Sequence, residues 1–153
     1  MRIKISVLVL ACLAVAACGN GGGGGDNDAI PSGPFQLTFS LDASFQGPHG
    51  NQPIHVALIR SSDGFVVTER SGTVLATQNP SFSFTSGVVM QRGTAYEVHY
   101  WIDSNISGGT LGLCDPKAID HQWSTEFPSP TNDVNLTVLH QPALTEDVCS
   151  TFP

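Results

Sequence analysis

Phe35-Gln36-Leu37-Thr38-Phe39-Ser40-Leu41 places an apolar side chain at every second position and a polar one between them. Successive side chains of a strand point to opposite faces, so this heptamer reads as a strand with one buried face. The pattern repeats along the chain. Ile54 to Ile59, Phe65 to Thr68, Thr73 to Thr77 and Ser81 to Thr85 follow. Ala95 to Ile102, His121 to Phe127 and Val134 to Leu139 complete the set. Gly and Pro punctuate the gaps at Gly47-Pro48, Asp63-Gly64, Asn79-Pro80, Arg92-Gly93 and Pro128 to Pro130. These residues favour turns for steric reasons. No helical period is evident after residue 20. Seven or eight short strands separated by turns predict an all-β, single antiparallel sandwich over residues 34–153.

The 153 residues allow one domain with a tail. The chain is 41% hydrophobic and only 12% charged, which argues for a folded core. Its formal net charge is −7. A nucleic-acid partner is therefore not expected, because phosphate binding needs a basic surface.

The N-terminus reads as an export signal. Met1-Arg2-Ile3-Lys4 is basic, and Ile5 to Ala17 is uncharged and mostly apolar. That run is short of the roughly 20 residues a spanning helix needs, and fits a signal peptide over residues 1–17. It ends in Val15-Ala16-Ala17-Cys18. This resembles the lipobox of bacterial lipoproteins, with Val where Leu is commonest. The resemblance implies cleavage before Cys18 and acylation of Cys18, an anchor with enough lipid for stable membrane attachment. Gly19 to Asp28 holds no apolar residue and is Gly-rich. It reads as a flexible tether within residues 18–33. Gly19 after the Cys, rather than Asp, implies delivery to the outer membrane. Removing Arg2 and Lys4 with the signal leaves four basic against thirteen acidic residues, a net of −9.

Of the four cysteines, Cys12 leaves with the signal and Cys18 is the anchor. Cys114 and Cys149 remain, an even pair for an oxidising compartment. They are expected to form a disulfide that pins the tail to the segment around Asp115. The absence of C-x-x-C argues against thiol chemistry.

One stretch carries a fold resemblance. Phe82-Ser83-Phe84, then Gly93, Tyr96-Glu97-Val98-His99-Tyr100, Asp103 and Asn105 resemble a run found in transthyretin-like and carboxypeptidase-regulatory-like β-sandwiches. The resemblance covers about residues 80–105. It implies the fold and a non-catalytic binding, spacer or surface role.

Candidate chemistry lies between Glu97 and Phe127. Asp103-Ser104-Asn105-Ile106-Ser107-Gly108 matches the opening of a calcium loop, whose oxygens at positions one, three and five converge on the ion. The carbonyl of Gly109 supplies the next ligand. The twelfth position is Cys114 rather than Glu, so Asp115 or Asp120 would have to close the shell. Such a site in an extracellular module would bind calcium with a Kd on the order of 10⁻⁴–10⁻³ M. An ordinary polar turn selects the same residues. A second pattern is His99-Tyr100-Trp101 against His121-Gln122-Trp123. If the two strands are neighbours, His99 and His121 could share a face. With Asp115 or Asp120 they would form a zinc or copper site, or a hydrolytic one. Trp101 and Trp123 are candidate stacking surfaces for a sugar. His49, His55 and His140 fall in unrelated segments and read as bystanders. No G-x-S-x-G, H-E-x-x-H or S-x-x-K is present.

The sequence thus points to a lipid-anchored cell-envelope module, non-enzymatic, with Ca²⁺ as the candidate cofactor. Its expected partners are the membrane, through the lipidated N-terminus, and an envelope protein or glycan. A Zn/Cu-handling protein and a carbohydrate-binding module are the competing readings.

Overall fold

The computed structural model describes residues 33–106 and 108–152. The signal peptide, Cys18, most of the tether and Ser107 lie outside them. Seven strands form two sheets among the described residues. The strands are β1 (Phe35–Leu41), β2 (Pro53–Arg60), β3 (Phe65–Thr73), β4 (Phe82–Met90), β5 (Tyr96–Ile102), β6 (His121–Phe127) and β7 (Val134–Val138). The three-stranded sheet has the order β4-β1-β7 and the four-stranded sheet β3-β2-β5-β6. This is the expected all-β sandwich.

The alternation in β1 does what period-2 geometry requires. Phe35, Leu37, Phe39 and Leu41 are buried, and the residues between them are half-buried. Opposite them, Ile54, Val56 and Leu58 of β2 and Tyr96, Val98, Tyr100 and Ile102 of β5 complete the core. The Phe39 ring lies 5.2 Å from Tyr100 of the other sheet, which ties the sheets across the middle, and 6.5 Å from Phe82 of its own sheet, centroid to centroid. Burying a Phe or Leu side chain is worth about 1.5–3 kcal/mol, so this interleaved layer is the main source of stability.

Three expectations are corrected. The segments Phe65 to Thr68 and Thr73 to Thr77 are not two strands. Residues 65–73 run as one strand, bulged against β2 at Leu58/Ile59, and the chain leaves the sheet after Thr73. Gly72 does not break it, because the Phe82 ring occupies the space a Cβ would take, 2.5 Å away. The sandwich is also not purely antiparallel: β7 pairs with β1 in parallel, Leu37 opposite Val134 through Leu41 opposite Val138. And helix is not wholly absent. A 3₁₀ turn (Ala43–Phe45) leads into a one-turn helix, α1 (Gln46–His49). The turn is started by the Asp42 carboxylate, which accepts from the Ser44 N–H at 2.8 Å.

The parallel pairing brings the exits of β1 and β7 to the same end of the sandwich, where Asp42 N–H donates to Val138 C=O at 3.0 Å. Because β5 ends and β6 begins at Ile102 opposite His121, the start of β6 faces that same end.

The expected disulfide is present: Cys114 and Cys149, with Cα atoms 5.3 Å apart, close a 35-residue loop. Loop entropy assigns such a bond about 3.8 kcal/mol. It holds the C-terminal tail across the outer face of β5 and β6. Gln122, buried, acts as a clip. Its amide donates to Asp115 C=O at 2.6 Å, and its side-chain oxygen accepts from Val148 N–H at 2.9 Å.

Candidate metal centre

Three histidines from three separated segments meet at that end of the sandwich. His49 is the last residue of α1, His121 opens β6, and His140 lies two residues past β7. Their ligating nitrogens all fall within 4.8 Å of one another. His49 Nε2 lies 2.9 Å from His121 Nδ1 and 3.1 Å from His140 Nε2. The ring centroids of His49 stand 4.9 and 4.8 Å from those of His121 and His140, with the planes steeply inclined. No neighbour of the three in sequence announces this.

Each ring is positioned by something. His49 is 2% exposed, and its Nδ1 contacts Gln52 Oε1 at 2.7 Å. An amide oxygen only accepts, so the His49 proton sits on Nδ1 and Nε2 offers a lone pair. Gln52 is itself set by its N–H bond to His49 C=O at 3.0 Å. His140 is held by its backbone N–H, which donates to Ser44 Oγ at 3.0 Å. Trp123 walls the group, its ring centroid 5.5 to 6.1 Å from each imidazole. Its Nε1–H donates to Gln141 C=O at 3.0 Å and so fixes the segment that carries His140. Phe45 stands 5.2 Å from His140, edge-on, and 6.2 Å from His49.

The electrostatics favour neutral rings. Burial pushes His49 down to about 4; Gln52 opposes this, while His121 and His140 add to it. His121 is lowered by burial against a raising influence from Asp120. His140 is lowered by burial and by His121. A metal ligand must be unprotonated; neutral rings meet that need by a tautomer shift that frees the facing nitrogen, without loss of a charge-bearing proton. Imidazole nitrogen suits zinc and copper.

The expected partnership of His99 with His121 is corrected. Strands β5 and β6 are neighbours, but His99 pairs opposite Ser124 and His121 opposite Ile102. His121 and Trp123 therefore share the inner face with Tyr100 and Ile102. His99 and Trp101 face outward. There His99 Nδ1 contacts Thr151 Oγ1 at 2.7 Å and Nε2 contacts Glu97 Oε2 at 3.1 Å, fastening the tail. His55 stacks on Trp101 with centroids 4.4 Å apart. The two tryptophans are likewise on opposite faces and both buried, at 2% and 3% exposed. They form no shared stacking platform. His49 and His140, which the sequence placed in unrelated segments, stand together with His121 in the fold.

The 103–120 loop is ordered by its acids. Asp120, fully buried, accepts N–H bonds from Ser104, Asn105 and Asp115 at 2.9, 3.1 and 3.0 Å. Asp103 accepts from Gly112 N–H at 2.7 Å and from the Asn105 amide. Asp115 accepts from Thr110 N–H. Asn105 Oδ1 is buried without a partner among the described residues, and Gly109 packs so closely that a Cβ there would lie 2.7 Å from it. The carboxylates thus serve backbone donors, the role such groups take when they shape a loop. The Asp115 and Asp120 oxygens are engaged in this way and do not join the histidines.

No family model and no curated relative matches the chain. Two solved structures show a distant likeness. One is (S)-allantoin synthase, at 16% identity and TM-score 0.40, covering 74% of this chain and 43% of that one. The other is a fimbrial assembly protein from Parabacteroides distasonis, at 11% identity and TM-score 0.37, covering 69% of this chain and 51% of that one. The chain spans about half or less of each. Likeness at this level assigns no role.

Proposed function

We propose that this chain is a metal-binding module of the bacterial cell envelope, exported by residues 1–17 and tethered through lipidated Cys18. Its function is to hold a transition-metal ion, without turning over a substrate. The convergence of His49, His121 and His140 supports this reading: three imidazoles with facing nitrogens, one ring oriented by Gln52, form a ligand set of the type that binds zinc or copper. The side chains touching the three rings, Gln52, Phe45 and Trp123, supply orientation and exclusion of water.

Titration of the purified full chain in detergent with zinc and copper salts tests it. One equivalent is expected to bind, uptake is expected to disappear in His121→Ala, and His99→Ala is expected to bind as the parent does. Failure to bind either metal, or unchanged binding in His121→Ala, would overturn the reading. The anchor is tested separately, by lipid incorporation that Cys18→Ala abolishes.

A further inference from the structure

We propose that the histidine triad selects a monovalent, low-coordinate d¹⁰ ion, copper(I), over zinc(II). This rests on the reading of the triad as a metal site. Imidazole serves both metals, so discrimination falls to charge and coordination number.

Charge favours the monocation. Three neutral imidazoles leave a bound ion its full charge, and no carboxylate or thiolate joins the cluster among the described residues. Asp120, beside His121 in sequence, directs its oxygens to the amides of Ser104, Asn105 and Asp115. On the inner side the site is closed by Phe45 and Trp123, both buried. Placing an uncompensated charge in such surroundings is costly. The cost rises with the square of the charge, so a dication carries about four times the penalty of a monocation of equal size.

Coordination number points the same way. The nitrogens of His121 and His140 lie 2.9 and 3.1 Å from His49 Nε2, and the set contains three ligands. Zinc held by three histidines takes a water as its fourth ligand, which the buried walls of Phe45 and Trp123 disfavour. Copper(I) is satisfied by two or three donors. Trp123, its ring centroid within 6.1 Å of every imidazole, walls the site without supplying a further ligand.

The test is a pair of chelator competitions on the full chain in detergent. Copper(I) is measured against bicinchoninate under ascorbate without oxygen, and zinc(II) against a chromogenic zinc chelator. Silver(I) serves as an air-stable monovalent probe. One equivalent of copper(I) is expected to bind, to be displaced by silver(I), and to resist an excess of zinc(II). Gln52→Leu, which frees the His49 ring without removing a ligand, is expected to weaken copper(I) binding by about 10–100-fold. His140→Ala, at a half-buried position outside the strands, is expected to weaken it further. Binding of zinc(II) that copper(I) and silver(I) do not displace would overturn the monovalent selectivity while leaving the metal site in place. Binding of none of the three ions would overturn both.

Discussion

His49 is protonated easily in the unfolded chain and with difficulty in the folded one. Its ordinary value is 6.5, and burial first, then the two neighbouring imidazoles, bring it to about 4 against the opposing Gln52 bond. Between those values the unfolded state binds a proton that the native state refuses. Stability therefore rises with pH across the window from about 4 to 6.5, and is lost as pH falls through it. His121 and His140 are lowered as well and contribute with the same sign. The metal-free protein is expected to show a falling unfolding midpoint from pH 6.5 to about 4, and His49→Gln a flatter profile. A midpoint unchanged across that window would refute the burial argument. Asp120 supports the opposite corner of the loop. Asp120→Ala would orphan three N–H donors, at a cost of about 3 kcal/mol for charge-assisted bonds, measurable by urea unfolding with and without calcium. An equal loss under both conditions would show that the loop stands on its amides; a larger loss with calcium would place Asp120 in a calcium shell.

At the scale of elements, β3 and the β5–β6 pair separate what the sequence revealed from what it hid. The strand β1 was legible because its alternation is uninterrupted and only one face is apolar. The stretch from Phe65 to Thr77 read as two strands because Gly72, without a side chain, adds nothing to the pattern. In the fold its missing Cβ is what admits Phe82. Gly72→Ala is expected to destabilise by about 1–3 kcal/mol through overpacking, read from the denaturant midpoint, whereas an unchanged midpoint would mean that Phe82 yields freely. The site was harder to see. His121 and Trp123 stood out as candidates by their residue types. Which face they take depends on register, and register across the long 103–120 loop is set by contacts remote in sequence. The pairing of Ile102 with His121 puts His99 on the far face. His49 and His140 lie outside the strands, 91 residues apart, at positions that converge only because β7 runs parallel to β1. No spacing motif encodes that. The disulfide was legible from elimination among four cysteines. Its clip, Gln122, was not, since a Gln in a strand carries no signal until its partners are known.

At the scale of the molecule, the three histidines belong to both layers of the sandwich. His49 lies on the crossover from β1 of one sheet to β2 of the other, His121 opens β6 of the four-stranded sheet, and His140 leaves β7 of the three-stranded sheet. An ion bound there clamps the sheets at one end, while Cys114–Cys149 fastens the tail over the outer face of one of them. In the unfolded chain the ligands are far apart in sequence, His49 and His121 by 72 residues, so binding is linked to folding. At a free metal concentration of about 100 times Kd the linkage adds about 2.7 kcal/mol. For a domain of this size that is a rise in unfolding midpoint on the order of 10 °C. The gain is expected to vanish in His140→Ala and to persist when Cys149 is replaced by Ser, because the bond and the ion restrain different parts of the fold. Acid should reverse it, since protons compete for the same lone pairs and the rings charge as pH drops below their ordinary range. A midpoint that rises with metal in His140→Ala as much as in the parent would place the ion elsewhere. A midpoint indifferent to metal, in a chain shown to bind it, would mean that the two sheets are already held together as firmly at this end without it.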